Sequence, residues 1–308
     1  MTDLSIIIVN WNTKYFLEKC LRSVYENSDG LNFEIFVIDN ASTDGSQQMV
    51  KEKFPDVNLI ENEENLGFAK ANNQAIKVAS GGYVLLLNSD TVVLDDALNK
   101  MVKFMDDHPE AGALGPKILN PDGSLQRSAW NYFPSPLAAF IERFYLYKLL
   151  PKSKLVKNFE VTLKEHKSPQ QVAHLLGACL LIRHETLQKV GFLDEKRFDL
   201  FLEETDLCLR IKKFGQKIYY FPDAEVVHCG QKSVNQDRKS SEVKYFLSYC
   251  RFFKKHNDSK INLFALKFIL LTGLLVRTIN YRFIKNKKRN ADELMKAFKA
   301  ILKNINTV

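Results

Sequence analysis

The sequence predicts a mixed α/β fold with a mostly parallel central sheet and a helical C-terminal region. Two observations lead to this prediction. Short apolar runs alternate with helix-like segments through the first third of the chain, which is typical of parallel strands joined by crossover helices. After residue 240 the apolar residues recur at helical spacing instead. Because 45% of the residues are hydrophobic and 26% charged, the chain has the ordinary composition of a protein that buries a core.

The first third predicts four strands. The first is almost wholly apolar, as expected for a strand covered on both faces. Between the strands, Leu17, Leu21 and Val24 share one helical face. The predicted strands are residues 4–9, 33–38, 57–60 and 83–87, and further helices are predicted over 68–78 and 95–105.

The pattern changes near Gly115. Residues 121–124 read Pro-Asp-Gly-Ser, a turn sequence that predicts a hairpin between Ile118 and Leu125. Residues 130–170 are aromatic, basic and without a clear period, so we expect a loop region there. The remaining predictions are a buried strand over 175–182, a helix over 203–214 that stops at Gly215, and short strands over 218–221 and 226–227.

These elements predict three parts: residues 1–114, 115–240 and 241–308. Within the third part, the apolar segment 261–284 is interrupted by charges, and its longest charge-free stretch is 268–276. A membrane-spanning helix needs roughly 20 apolar residues, so we expect this segment not to cross a bilayer alone. Basic residues up to Arg289 follow it. Residues 261–289 therefore predict a helix lying in a membrane surface, with a core helix docked on the rest of the protein as the alternative.

Charge and cysteine usage narrow the classes of partner and compartment. The net charge of +8 suits anionic partners such as nucleotides, nucleic acid or lipid. The strongest basic run lies beside apolar residues, which favours lipid over a nucleic acid. Five scattered cysteines without CxxC spacing argue against a zinc site or a disulfide framework. We read no signal peptide, and therefore expect a cytoplasmic protein that can lie at the inner face of the membrane.

Polar side chains follow three of the predicted strands. Asn10, Trp11 and Asn12 follow the first strand, Asp39 the second, and Ser89-Asp90 the fourth. In parallel sheets, ligands bind beyond the carboxyl ends of the strands. A carboxylate there can accept a nucleobase N–H or hold a hard cation through oxygen. Asp90 directly follows an apolar strand, where a solvated charge would be poorly placed. This position predicts a Mg²⁺ or Mn²⁺ ion that bridges the protein to a diphosphate.

Two further sites are predicted downstream. Asn65, Gly67 and Phe68 open a helix that carries Asn72, and this amide-rich run predicts a second wall of a ligand site. Later, another helix begins with three carboxylates, Glu203, Glu204 and Asp206. Either they only complement the helix dipole, or one of them takes a proton from a substrate hydroxyl. His228 follows a short strand, where a lone histidine is more often structural than a ligand.

Taken in order, these motifs resemble the inverting GT-A glycosyltransferases of family 2, in particular the bacterial rhamnosyltransferase-like branch. The resemblance covers about residues 4 to 250, and although each motif is weak alone, the ordered set is specific. The motifs are residues 5–12, 37–46, 65–69, 87–90, 177–179, 191–194 and 203–210, with His228 at the end.

The resemblance implies a Rossmann-like GT-A sheet, an acceptor-side subdomain and roles for single residues. Asp39 would bind the pyrimidine ring, and Asp90 would remain from the family's DxD-type motif, whose first acidic position is Asn88 here. His228 would complete the metal site. The catalytic base would be Glu204, with Glu203 and Asp206 as alternatives and Asp206 more suited to orienting the acceptor.

The implied reaction moves a sugar from a dTDP- or UDP-linked donor, with rhamnose as the leading candidate, to a glycan or lipid-linked acceptor in cell-surface polysaccharide synthesis. The main alternative is a non-catalytic sugar-nucleotide-binding protein on the same fold. A nucleotidyltransferase is disfavoured, because the first strand is followed by Asn10-Trp11-Asn12 rather than a glycine-rich phosphate loop.

Overall fold

The computed structural model describes residues 2–150, 153, 168–198, 200–230, 238–257 and 259–305. Its strands are β1 (Leu4–Asn10), β2 (Phe33–Asn40), β3 (Asn58–Asn62), β4 (Tyr83–Asn88), β5 (Thr91–Val93), β6 (Ala111–Leu119), β7 (Ala129–Trp130), β8 (Gln170–Gln171), β9 (His174–Leu175), β10 (Cys179–Arg183) and β11 (Lys217–His228). Its helices are α1 (Lys14–Glu26), α2 (Ser46–Lys53), α3 (Phe68–Ile76), α4 (Ala97–Asp107), α5 (Pro136–Arg143), α6 (Leu146–Leu149), α7 (His184–Val190), α8 (Glu203–Lys213), α9 (Arg238–His256), α10 (Lys260–Ile279), a π-helical turn (Asn280–Ile284) and α11 (Lys288–Asn304).

The described residues form two compact units. The first contains all the strands, and the second is helical. In residue numbers, the first unit holds 2–130, 168–195 and 203–230, and the second holds 131–150, 153, 196–198, 200–202, 238–257 and 259–305. The three-part division predicted from the sequence, at 114/115 and 240/241, stays a prediction.

The central sheet of the first unit is mixed but mostly parallel, as predicted. Its order is β3-β2-β1-β4-β10-β6-β11-β5, and β8 pairs with β11 at the side. Strands β1 to β4 are parallel to one another, β10 runs antiparallel to both of its neighbours, and β6 and β11 are again parallel. The parallel half is the alternating pattern that the sequence predicts. Strands β1, β2 and β4 are apolar runs that are largely buried on both faces, whereas the edge strand β3 is only partly buried.

The register of the parallel half sets the position of the polar strand ends. Asn10 of β1 pairs with Asp39 of β2, and Val9 pairs with Asn88 of β4. Three strands therefore end at the same level, and the side chains that follow them meet at one edge of the sheet. This is the edge where open α/β sheets bind ligands.

The strands of the structure differ from those predicted in three ways. Strands β5, β6, β7 and β8 were not predicted. The two short strands predicted at 218–221 and 226–227 are one strand, β11, whose register shifts between Phe221 and Glu225. The predicted strand 175–182 is interrupted: β9 leaves the central sheet to pair with β7, and β10 begins only at Cys179. The predicted hairpin is present as a turn at 120–124, closed by a bridge between Leu119 and Leu125.

The second unit corrects the loop predicted over 130–170. Helices α5 and α6 occupy 136–149, and residues 151–152 and 154–167 lie outside the described residues. Helix α5 begins with a strong local signal. The Ser135 hydroxyl accepts from Ala138 N, and Pro136 takes the first helical position, where its missing N–H costs nothing. The aromatic residues around it obscured this signal.

Helix α10 belongs to an apolar helix that is longer than the charge-free stretch on which the prediction was based. Together with part of the π-helical turn it forms a helix, Lys260–Phe283, of 24 residues, long and apolar enough by length and composition to cross a membrane. The expectation that the segment is too short to cross was therefore wrong, because it counted charge-free residues. One face of α10 is buried, through Leu266, Leu270 and Leu274.

Candidate active site

His228 and Asp90 lie side by side at the carboxyl edge of the sheet. Strand β4 ends at Asn88, and β5 begins directly after Asp90. The antiparallel pairing of β5 with β11 sets Thr91 opposite His228, and Cys229 N donates to Asp90 O at 2.9 Å. As a result, His228 Nε2 is 3.2 Å from Asp90 Oδ1, and both side chains are about nine-tenths buried.

The pair fits a hexacoordinate divalent cation. Two ligand atoms at right angles on an ion, each about 2.1 Å away, are separated by about 3 Å, close to the Nε2–Oδ1 distance. No cluster of three or more histidine, cysteine or acidic side chains suited to a metal occurs among the described residues. Two protein ligands are nevertheless enough for a cation that also binds substrate phosphates. Without a cation, a proton on Nε2 satisfies the same contact.

Asp39 lies on the same edge and is fully buried. Its carboxylate accepts three hydrogen bonds of 2.8 Å, from Asn10 Nδ2, Ser42 N and Gln47 Nε2. A carboxylate has about four lone-pair sites. A nucleobase N–H would therefore take the remaining site or displace the amide of Gln47, which is the partner nearest to solvent.

A buried hydrogen-bond chain joins Asp39 to the turn that carries Asp90. Asn10 Oδ1 accepts from Thr13 Oγ1 at 2.6 Å, and Thr13 Oγ1 lies 2.8 Å from Ser89 Oγ. Asn12 and Trp11 are partly exposed beside this chain, and Asn12 Oδ1 accepts from Thr43 N at 2.8 Å. The sequence reasoning missed Thr13, because a threonine before a helix also reads as an ordinary cap.

The amide-rich second wall divides into two groups. Asn65, Gly67 and Phe68 are at least partly exposed, and Gly67 O accepts from Asn40 Nδ2 at 3.3 Å, next to Asp39. In contrast, Asn72 is 1% exposed, and its amide donates to Phe68 O within the helix. Its Oδ1 is buried and has no hydrogen-bond partner among the described residues, so the predicted role of Asn72 in a ligand site stays a prediction.

Glu204 faces the same region from helix α8. A Cβ added to Gly177 would lie 3.4 Å from Glu204 Cγ, in ordinary van der Waals contact, so the Glu204 side chain packs directly beside this glycine. The next residue, Ala178, accepts from Asn88 N at 2.9 Å. Glu204 thus packs on the segment that pairs with Asn88. This residue is the last of β4 and lies two residues before Asp90. Burial raises the pKa of Glu204 to about 7.

The other two carboxylates of α8 are less accessible. Glu203 is 3% exposed. Asp206 is fully buried, and its Oδ2 accepts from Arg210 Nε at 2.9 Å. Arg210 also donates to Gly191 O and Phe192 O at 2.7 Å each. Asp206 therefore holds an arginine that ties the Gly191-Phe192 turn to α8, which favours Glu204 over Asp206 as the group that meets a substrate.

Comparisons with known proteins agree with this arrangement. A family model described as Glycosyl transferase family 2 matches residues 5–191. An N-acetylglucosaminyl-diphospho-decaprenol L-rhamnosyltransferase of Mycobacterium tuberculosis is 30% identical over 252 residues, covering 78% of this chain and 80% of that protein. A low-salt glycan biosynthesis hexosyltransferase of Haloferax volcanii, Agl10, is 25% identical, covering 84% of this chain and 76% of that protein.

A solved structure shows the same fold at lower identity. The mannosyltransferase PcManGT of Pyrobaculum calidifontis, in complex with GDP-Man and Mn²⁺, superposes with a TM-score of 0.59 at 19% identity. The match covers 98% of this chain and 86% of that chain. Its folding pattern is the GT-A arrangement that the sequence motifs implied.

Proposed function

This chain belongs to glycosyl transferase family 2, and from that premise we propose that it transfers a sugar from a nucleoside diphosphate to a hydroxyl of a glycan or lipid-linked acceptor, with inversion at the anomeric carbon. That it is a glycosyltransferase follows from the family match and the named relatives. The observation that supports the finer proposal is the arrangement at the sheet edge. Asp90 and His228 come from distant parts of the chain and lie in contact at the end of β4. Glu204 packs beside Gly177, whose neighbour Ala178 accepts a hydrogen bond from Asn88 N of β4.

Asp90 and His228 would hold a Mg²⁺ or Mn²⁺ ion together with the donor diphosphate. A bound ion supplies charge stabilisation to the diphosphate as it leaves. The Mn²⁺ in the structure of the Pyrobaculum mannosyltransferase supports this part of the proposal. On the chain's own side, Asp39 and the Asn10 amide would receive the base, and Asn65, Gly67 and Phe68 would line the opposite wall.

Glu204 would act as the general base. The acceptor hydroxyl gives its proton to the Glu204 carboxylate while its oxygen bonds to the anomeric carbon, and the bond from that carbon to the diphosphate oxygen breaks. A pKa of about 7 suits this task, because a base works best when its pKa is near the working pH. Glu203 remains the alternative, although its burial makes contact with an acceptor less direct.

The donor and acceptor are proposed from the relatives. The mycobacterial relative is named as a rhamnosyltransferase acting on a diphospho-decaprenol lipid. This supports rhamnose on a dTDP or UDP carrier as the first donor to test, and a lipid-linked glycan as the acceptor. Uracil and thymine present the same ring N–H, so Asp39 does not choose between them.

We also propose that α10 places the enzyme on the cytoplasmic face of a membrane. One face of this helix carries large exposed apolar side chains, namely Ile261, Phe264, Phe268, Val276, Ile279 and, in the turn that follows, Phe283. We call these six residues the apolar stripe. Because residues three, four, seven or eight apart share a helical face, the six side chains lie on one face of α10 and of the turn that follows it.

The polar groups of α10 are directed away from the stripe or are satisfied within the helix. Lys267 Nζ donates to Ile305 O at 2.9 Å, and Arg277 pairs with Glu242. Thr272 lies along the stripe, but its hydroxyl donates to Phe268 O at 2.8 Å. Exposed Lys285, Lys287, Lys288 and Arg289 follow and match an anionic lipid surface.

The opposite face of α10 packs inside the second unit, through Leu266, Leu270 and Gly273. The helix therefore has one apolar face for protein and another for lipid, and lipid cannot surround it without unpacking the unit. We propose that it lies in the membrane surface rather than crossing it. Both alternatives left open by the sequence, docking on protein and binding lipid, then apply to one helix.

The test of the proposed reaction uses the full chain with a panel of dTDP- and UDP-linked sugars, a lipid-diphosphate-linked acceptor, and Mg²⁺, Mn²⁺ or EDTA. We expect metal-dependent release of the nucleoside diphosphate with one donor, and a product of inverted anomeric configuration. Glu204→Gln should lower turnover about 10²–10⁴-fold with donor affinity kept. Glu26→Gln, at an exposed position in the same unit, is the matched control. Donor binding without turnover in the wild-type protein would favour the non-catalytic alternative instead.

A further inference from the structure

We propose that Gln126 is a positioning residue for the cation site: a directional chain of hydrogen bonds through Gln126 keeps the proton of His228 on Nδ1 and so presents the lone pair of Nε2 to the cation beside Asp90. The inference rests on the proposed function, because it assigns a role toward the ion that Asp90 and His228 would hold. His228 Nδ1 lies 2.6 Å from Gln126 Oε1. The question is what fixes the amide of Gln126 in that orientation.

The chain begins at the turn between Leu119 and Leu125. The Ser124 hydroxyl donates a hydrogen bond to Asp122 Oδ1 at 2.6 Å. Its oxygen is then left as an acceptor for Asn120 Nδ2 at 2.9 Å. The same Nδ2 lies 3.5 Å from Leu125 O, a backbone carbonyl that can only accept. These contacts fix the amide nitrogen of Asn120 on that side.

The orientation of the Asn120 amide in turn fixes the orientation of the Gln126 amide. With its nitrogen fixed, Asn120 presents Oδ1 to Gln126 Nε2 at 2.9 Å. Gln126 Nε2 also lies 3.5 Å from His228 O, a second acceptor. A flipped Gln126 amide would set its oxygen against both of these oxygens. Gln126 Oε1 is therefore the atom that faces His228 Nδ1, and it requires a proton there.

A neutral imidazole has one N–H, so a proton on Nδ1 leaves Nε2 with a lone pair. Asn88 Nδ2, a donor, lies 3.3 Å from Nε2 and agrees with this assignment. The β5–β11 register decides where His228 lies, and Gln126 decides which of its ring atoms faces Asp90. Metal-binding histidines commonly use such a partner on the second nitrogen.

The side chain of Gln126 is not needed to form the turn. Backbone hydrogen bonds already close it, from Asn120 N to Ser124 O at 2.7 Å, from Gly123 N to Asn120 O at 2.9 Å, and from Gln126 N to Ile118 O at 2.8 Å. Removal of the Gln126 amide should therefore leave the turn in place. This separates a role toward His228 from a role in folding.

The first measurement needs no turnover and is made with Mg²⁺ and a nucleoside diphosphate present, because without a cation Asp90 Oδ1, 3.2 Å from Nε2, favours a proton on that nitrogen. Nitrogen NMR of the six histidine side chains at about pH 8 reports which ring nitrogen carries the proton, and His228 is assigned by its loss in His228→Ala. We expect the Nδ1–H tautomer in the wild type. Gln126→Leu and Gln126→Met, which keeps the length of the side chain but has no amide, should both shift His228 toward the Nε2–H tautomer. Gln171→Leu, at an exposed glutamine of the same unit, should leave it unchanged.

The second measurement is Mn²⁺ affinity in the presence of a nucleoside diphosphate. Loss of an outer partner typically weakens metal affinity about 10–100-fold, which we expect for both Gln126→Leu and Gln126→Met. Asn120→Ala breaks the chain one bond earlier and serves if Gln126→Leu does not fold. It should also weaken affinity, because Gln126 is then free to turn.

Two results would overturn the proposal. One is wild-type tautomer and wild-type affinity in Gln126→Leu. The other is a loss of affinity in Gln126→Leu that Gln126→Met restores, which would indicate a packing role. Failure of the proposed function looks different: His228→Ala would bind Mn²⁺ as the wild type does, while the tautomer series still behaves as expected. In that case the chain of hydrogen bonds through Gln126 exists, but His228 does not bind a cation.

Discussion

Replacement of Glu204 by glutamine should have opposite effects on turnover and on stability. Burial raises the pKa of this carboxyl from 4.5 to about 7 in the folded protein. A carboxyl with a raised pKa binds its proton more tightly in the folded state than in the unfolded state. Its cost to stability is therefore absent below about pH 4.5, grows as the pH rises to about 7, and is complete above that.

The size of the effect follows from the shift. Each pKa unit corresponds to about 1.4 kcal/mol, so ionised Glu204 costs about 3 kcal/mol at pH 8. Glu204→Gln carries no charge and removes this cost. We expect its free energy of unfolding in urea to exceed that of the wild type by up to about 3 kcal/mol at pH 8 and to equal it near pH 4.5.

Turnover gives the second half of this prediction. The base must be ionised to accept a proton, so kcat/KM of the wild type should rise with pH through about 7 and fall to about one tenth of its plateau at pH 6. In Glu204→Gln the rate should be low and this rise should be missing. A variant that keeps its turnover, or that is no more stable at pH 8 than Glu26→Gln, would refute the assignment of Glu204.

Three further outcomes are expected. Asp90→Asn should lower kcat/KM by about 10²-fold or more, and His228→Ala should weaken Mn²⁺ binding, because the charge on the leaving diphosphate is then less well stabilised; donor assays and Mn²⁺ titrations measure this. Phe264→Ser with Phe268→Ser should weaken binding to anionic vesicles at least about 100-fold in sedimentation assays, since each buried Phe contributes about 1.5–3 kcal/mol, whereas Val78→Ser, an exposed apolar control, should bind as the wild type. Asp206→Asn should cost about 3–5 kcal/mol of unfolding free energy, because it leaves Arg210 without its buried partner.

The parallel half of the sheet could be predicted from the sequence because each of its strands has a local sequence pattern. Each of the four strands is an apolar run followed by polar residues, and parallel pairing brings those ends together without further information. This placed Asp39 and Asp90 on one edge before any coordinates. Nothing local, however, indicates that β5 pairs with β11, and so the neighbourhood of His228 and Asp90 came from the family resemblance and not from spacing.

Strand β6 was missed because its packing requires residues that are poor strand formers. A Cβ on Gly112 would lie 2.6 Å from Ile211 Cγ2 and 2.7 Å from Gln216 Oε1, so only glycine fits there. Pro116 follows in the same strand. Tertiary packing thus selected glycine where local propensity would favour a branched side chain.

Gln126 and Thr13 were missed for another reason. Each acts through one hydrogen bond to a residue far away in sequence, Gln126 to His228 and Thr13 to Ser89. A polar residue beside a turn or a helix start has an adequate local explanation, so no sequence pattern marks it.

Pulsed EPR of Mn²⁺ bound with a nucleoside diphosphate tests the central claim most directly, since it detects nitrogen atoms coordinated to the ion. With the full chain we expect coupling to a single histidine nitrogen, absent in His228→Ala and retained in the control Gln171→Leu. Mn²⁺ that binds with the nucleotide but shows no nitrogen coupling, or the same coupling after removal of His228, would contradict a cation held between Asp90 and His228.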